Sequence, residues 1–163
     1  MYQVGHYGTA LLAYAPLGTA VALAGHETAA LLGALACVAL STLPDCDQKV
    51  PLVEHRGPTH SLVFALLVGA GLAGIAATFA GSGSPLLGAG LVGFAFLVGA
   101  LSICSHLFAD ALTPMGIRPL WPLSSRRYTL AVTRTANPLA NYVLLGLGVA
   151  AVLVGAGIVA TLG

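Results

Sequence analysis

Residues 86–110 read LLGAGLVGFAFLVGALSICSHLFAD. From Leu86 to Leu101 no residue is ionisable, and the whole run matches the roughly 20 apolar residues that a helix needs to cross a bilayer core of about 30 Å. Its end then turns polar, in Ser105-His106-Leu107-Phe108-Ala109-Asp110. On a helix His106 and Asp110 share one face, about 6 Å apart along the axis. Such a pair can close an intrahelical hydrogen bond, or it can offer nitrogen and oxygen to one divalent ion.

The rest of the chain has the same character. Of 163 residues 58% are hydrophobic and 7% charged, with a mean hydropathy of +0.95. Soluble domains carry about 25% charged residues, so lipid rather than water is the solvent for most of this surface. Four further apolar segments join the first: Tyr7–Ala24 (with Pro16 inside), Thr28–Leu43 (ending at Pro44), Ser61–Ala80 and Leu139–Leu162. A turn at Gly81-Ser-Gly-Ser-Pro85 separates the third from the fourth. The N-terminal MYQVGHYGTALL has no basic run of the kind that opens a secretory signal, so the first segment is read as retained. The expected fold is all-α: a single domain over 1–163, a polytopic bundle of about five transmembrane helices. Abundant Gly and Ala suit close helix packing in lipid.

Five spans place alternate connections on opposite sides. All six basic residues fall in two connections on the same side: Lys49 and Arg56 in one, Arg118, Arg126, Arg127 and Arg134 in the other. The positive-inside rule makes that side cytoplasmic, and the N-terminus with it. A net charge of +1 and the absence of a basic run give no footprint for nucleic acid. The three cysteines imply no disulfide framework, and Cys37 and Cys104 sit in apolar stretches as small hydrophobes.

Almost every other ionisable residue lands on the same side. His6 opens the first span, Asp45 and Asp47 follow the second, His55 and His60 precede the third, and His106 and Asp110 end the fourth. Four helix ends thus bring imidazoles and carboxylates to one layer of the membrane. Singly each has a plain structural reading: Asp45 and Asp47 as a helix-ending turn, His26 on the other side as a packing residue. Together they point to a shared metal site. A mixed His/Asp set suits zinc or another first-row divalent ion. The segment from Thr113 to Arg127 is stiffened by Pro114, Pro119 and Pro122 and has two readings. It is a cover whose arginines hold an anionic group, or an interface loop with Trp121 as anchor and the arginines against anionic lipid.

Gly5-His6, Leu43-Pro44-Asp45-Cys46-Asp47, His55-Arg56-Gly57-Pro58-Thr59-His60-Ser61, Ser105-His106-Leu107-Phe108-Ala109-Asp110-Ala111-Leu112-Thr113-Pro114-Met115-Gly116 and Leu120-Trp121-Pro122 resemble, in order and spacing, the YdjM-type family. These are LexA-regulated, membrane-bound metal-dependent hydrolases of the bacterial inner membrane. Gln48 departs from the His that the family often has after the second Asp. More remotely the motifs are similar to the zinc-dependent phospholipase C and nuclease superfamily. Residue by residue, that likeness implies His6, Asp45, His60, His106 and Asp110 as metal ligands, with Asp110 as a bridging carboxylate. Gly116 stands where a further histidine of that superfamily is expected, which implies one or two ions rather than three.

The expected function is hydrolysis of a phosphoester or lipid-like substrate at the cytoplasmic face of the inner membrane, with a divalent metal such as zinc as cofactor. In that reading Asp47 is the general base, His55 a proton shuttle or ligand support, and Arg56 or Arg126 the anchor for an anionic substrate. The expected partners are membrane lipids and an anionic small molecule. Two other classes remain open: a small metal or proton transporter, which needs ionisable residues near mid-span, and a non-catalytic membrane protein with a structural metal.

Overall fold

The computed structural model describes residues 1–49, 55–80 and 85–163. Five helices carry the fold: α1 (Gln3–Leu23), α2 (Glu27–Leu40), α3 (Leu62–Phe79), α4 (Pro85–Ala111) and α5 (Pro138–Leu162). Two short 3₁₀ turns, Pro44–Lys49 and Pro58–His60, flank the connection between α2 and α3. Among the described residues the extended pairing is one isolated bridge, Ile117 with Tyr128. The all-α reading holds. The expected turn at 81–84 lies outside the described residues.

Four helices are long and apolar enough to cross a membrane: α2 with the turn that follows it, α3, α4 and α5. α1 has 21 residues, a length of about 31 Å, but Gln3, His6, Thr9, Tyr14 and Thr19 make it less apolar. Its place explains this composition. α1 packs against α2, α4 and α5, so His6, Thr9 and Tyr14 are buried, while Gln3 at its start is exposed. The outward faces of the bundle expose Leu31, Leu35, Leu66, Leu67, Leu147 and Leu153, while the buried set includes His6, Ser41, Asp47, Arg56, His60, His106, Asp110 and Asn141. Apolar outside and polar within is the arrangement that lipid imposes.

Helix contacts depend on small residues and interhelical hydrogen bonds, because lipid gives no hydrophobic drive for helices to associate. Gly8 lies against the backbone of Leu144, and Gly148 against the backbone of Gly8, which seats α1 on α5. Gly69 and Gly99 do the same for α3 and α4: a Cβ on Gly99 would stand 2.9 Å from the Gly69 Cα. The Tyr14 hydroxyl donates to the Ala30 carbonyl at 2.7 Å, and Ser102 to the Cys37 carbonyl at 2.6 Å, tying α1 and α4 to α2.

The chain runs up and down, so the starts of α1, α3 and α5 meet the ends of α2 and α4 at one end of the bundle. There the segment 112–137 folds back over the helix ends. Ile117 and Tyr128 exchange two backbone hydrogen bonds, Leu130 N–H donates to Ala111, Thr133 N–H to Leu112, and Leu62 N–H to Pro119. Gly116 takes a positive φ of 62° with its Cα against the Tyr128 carbonyl, a place that a side chain would fill at once.

Candidate metal centre

Four side chains converge at this end. One ligand atom from each of Asp45, His60, His106 and Asp110 lies within 4.8 Å of all the others. His60 Nε2 is 3.1 Å from His106 Nε2, 3.7 Å from Asp45 Oδ1 and 3.5 Å from Asp110 Oδ2. His106 Nε2 is 3.9 Å from Asp45 Oδ1 and 3.7 Å from Asp110 Oδ2. Ligands about 2.0–2.1 Å from a tetrahedral ion stand about 3.3 Å apart. The set surrounds a space of that size.

The second nitrogen of each ring fixes the chemistry of the first. His106 Nδ1 lies 2.7 Å from the Ser41 carbonyl oxygen, which can only accept, so Nδ1 carries the proton. Thr59 donates its hydroxyl to Asp47 Oδ2 at 2.7 Å, which leaves its oxygen to accept from His60 Nδ1 at 3.0 Å; Asp47 Oδ2 is itself 3.3 Å from that nitrogen. Both Nε2 atoms therefore turn lone pairs toward each other. Two acceptors at 3.1 Å need a cation between them, a proton or a metal ion. The pKa of His60, in the turn before α3, shows the same demand. Burial pulls it down, but the Asp110 and Asp45 carboxylates outweigh burial and hold it above its ordinary value.

His6 adds to the centre from α1. Its ring stacks on His106, centroids 3.9 Å apart and 9° from parallel. His6 Nε2 is 3.8 Å from Asp45 Oδ2 and 3.7 Å from Asp110 Oδ1, the oxygens that do not face His60 and His106. Each of the two carboxylates thus has one oxygen toward the His60/His106 pair and one toward His6. Among the described residues both His6 nitrogens and Asp110 Oδ2 are buried without a hydrogen-bond partner. Buried polar atoms without partners are costly; His6 Nε2 faces the outer oxygens of Asp45 and Asp110, and Asp110 Oδ2 faces the His60/His106 pair. The residues fit a divalent ion.

The turns between helices supply the supports. Leu43-Pro44 starts the 3₁₀ turn that brings Asp45 inward, with its side chain 23% exposed. It is the most open member of the set, since His6, His60, His106 and Asp110 are at most 1% exposed. Asp47 stands behind His60, both oxygens occupied: Oδ1 with His55 Nδ1 at 2.8 Å, Oδ2 with Thr59, His60 and the Arg56 N–H. His55 is about one-third exposed, with its side chain at 35%.

Arg56 and Arg126 part company. Arg56 is buried, with φ at +62°, and its guanidinium lies 3.0 Å from Asp110 Oδ1, 3.2 Å from Thr113 Oγ1 and 2.9 Å from the Gly116 carbonyl. It holds Asp110 and the turn after it. The Met1 ammonium also lies 2.6 Å from Asp110 Oδ1. Arg126 is exposed, its guanidinium 5.3 Å from the centroid of the Tyr128 ring, and stands outside the convergence.

Several supports were invisible in the sequence. Ser41 acts through its backbone carbonyl, for which no side-chain signal exists. Thr59 lies inside the His55–Ser61 motif, and its place between two candidate residues was the available hint. Asn141, at the start of α5, accepts from Tyr2 N–H at 3.0 Å and donates to the Asn137 and Thr135 carbonyls, anchoring the start of α1. A lone Asn at a helix start reads as a cap, and Asn137 is the one that caps.

The family model described as YdjM inner membrane protein matches residues 1–162. No curated protein and no solved structure matches the chain.

Proposed function

The chain belongs to the YdjM inner membrane protein family, and from that premise and the geometry above we propose that it is a membrane-bound metal-dependent hydrolase of phosphoester or lipid-like substrates. One observation carries the metal half of this reading: the Nε2 atoms of His60 and His106 turn toward each other at 3.1 Å inside a frame of two carboxylates. The hydrolytic half rests on the resemblance of the motifs and on the relative openness of Asp45.

His60, His106, Asp45 and Asp110 would hold the first ion, with zinc the best match to this donor set. His6, with the remaining oxygen of Asp45, would hold a second, since Asp110 Oδ1 is already engaged by Arg56 and the Met1 ammonium. A divalent ion there supplies Lewis acidity toward a phosphoryl or acyl oxygen and an acidified water. The chain's own residues orient and exchange protons. The Ser41 carbonyl fixes the His106 ring, and Asp47 fixes the His60 ring and raises its basicity. Its position behind His60 makes Asp47 a positioning residue, and His55 the link between Asp47 and water. Arg56 fixes Asp110 and offsets part of the carboxylate charge. The basic residues share this end of the bundle, which favours a cytoplasmic site in the inner membrane.

Burial of His60, His106 and Asp110 also suits a closed, structural ion, and one experiment separates the two readings. Full-length protein purified in mild detergent is assayed for bound metal by mass spectrometry, and for phosphodiesterase and lipase activity. The expected result is one or two zinc ions per chain with activity removed by chelation. Metal content unchanged in both His106→Ala and Asp110→Ala would overturn the site. Tightly held metal without turnover of any phosphoester or ester would leave the structural reading standing.

A further inference from the structure

The segment 112–137 joins α4 to α5 in 26 residues without a helix. Connections this long that lack structure of their own usually carry function. It holds four arginines (Arg118, Arg126, Arg127, Arg134) and no Asp, Glu or Lys. Both flanking helices are membrane spans, so the segment is confined to the boundary layer of one leaflet.

Its backbone and its side chains face different partners. Leu130 and Thr133 N–H groups bond the end of α4, the Thr129 hydroxyl donates to the Thr113 carbonyl at 2.6 Å, and Pro119 accepts from the start of α3. With the backbone and Ile117 tied inward, three other apolar side chains are left outside: Leu123 is 91% exposed, Val132 71% and Leu130 61%. In water such a row would be costly. In the interface of a bilayer it inserts among the upper acyl carbons. Arg126, Arg127 and Arg134 are exposed in the same segment, where each basic side chain near an anionic membrane surface favours binding. Apolar anchors and exposed positive charge in one segment fit a lipid that offers acyl chains below and a negative headgroup above.

We propose that residues 112–137 form a binding surface for anionic phospholipid headgroups in the leaflet at the metal end of the bundle. Leu123, Leu130 and Val132 seat the segment in the interface, and Arg126, Arg127 and Arg134 contact the phosphates. This does not rest on hydrolysis: the surface would select its lipid whether or not the metal centre turns one over.

Trp121, the chain's single tryptophan, lies within the segment and serves as the reporter. Full-length protein is placed in phosphatidylcholine nanodiscs carrying a minority of brominated phosphatidylglycerol or, in parallel, brominated phosphatidylcholine. Quenching of Trp121 should show a preference for the anionic lipid on the order of fivefold or more, shrinking in high salt. R126Q/R127Q/R134Q should bring the preference close to unity while keeping bound metal, the sign that it still folds. Leu123→Ser should weaken quenching by both lipids. Equal quenching by the two lipids in the parent chain would overturn the proposal. So would abolition of the preference by soluble glycerol phosphate, which would assign the arginines to a free anion.

Discussion

Asp47 Oδ2 lies 3.3 Å from Nδ1 of His60, on the edge of the ring opposite the one that faces His106. A carboxylate in that position locks the tautomer and makes the outward nitrogen a stronger donor to a cation. Asp47→Asn should keep the fold, since an amide can replace the hydrogen bonds to Thr59 and His55, but lower metal affinity by about 10–100-fold. Chelator competition measures this. An affinity equal to that of the parent chain would remove Asp47 from the centre.

Asp110 and Arg56 form a buried ion pair at 3.0 Å. Breaking such a pair from one side leaves an uncompensated charge and costs about 3–5 kcal/mol. Asp110→Ala should therefore lose metal and also melt earlier in its metal-free form. Adding Arg56→Gln should restore part of that stability without restoring metal. Thermal melts of the four members of this cycle give the coupling directly, and purely additive losses would mean that the pair is not coupled.

With the proposed metal at this centre, protons would compete with it at His60. Its pKa, raised by Asp110 and Asp45, means that in the metal-free protein the proton on His60 stabilises the fold. That contribution is complete below the ordinary histidine value of about 6.5 and is lost as pH rises through the raised value. A metal needs the unprotonated nitrogen, so affinity should climb over the same interval, with protons released on binding. Metal titrations at a series of pH values rising from the ordinary histidine value of about 6.5 test the sign. A flat profile would contradict it.

Gly8 meets the backbone of Leu144, whereas a Cβ on Gly71 in α3 meets nothing within 4 Å. Gly8→Ala must push α1 away from α5, a strain of about 1–3 kcal/mol or more, and α1 carries His6. Bound metal should fall with stability. Gly71→Ala should be neutral or stabilise by up to about 1 kcal/mol, because alanine is the better helix former. Equal behaviour of the two variants would argue against close α1–α5 contact.

The helices were legible because apolar runs such as 86–101 are local, and a continuous apolar run of about 20 residues crosses lipid as a helix, which satisfies its own backbone. Observed bounds differ from the sequence reading by a few residues, most at α1, which starts at Gln3 rather than Tyr7 and so takes His6 onto the helix. The gathering of His6, Asp45, His60, His106 and Asp110 was also legible, since helix ends alternate between two faces and the chain order assigns each residue to one. Tertiary packing alone decided which atoms face which. Asp45 and Asp47 are two residues apart in one turn, yet one faces His60, His106 and Asp110 while the other stands behind His60. Arg56 and Arg126 carry the same charge, yet one is pinned to Asp110 and the other lies exposed beside Tyr128. Those differences arise where separate turns dock on one another, and spacing along the chain carries no trace of that docking.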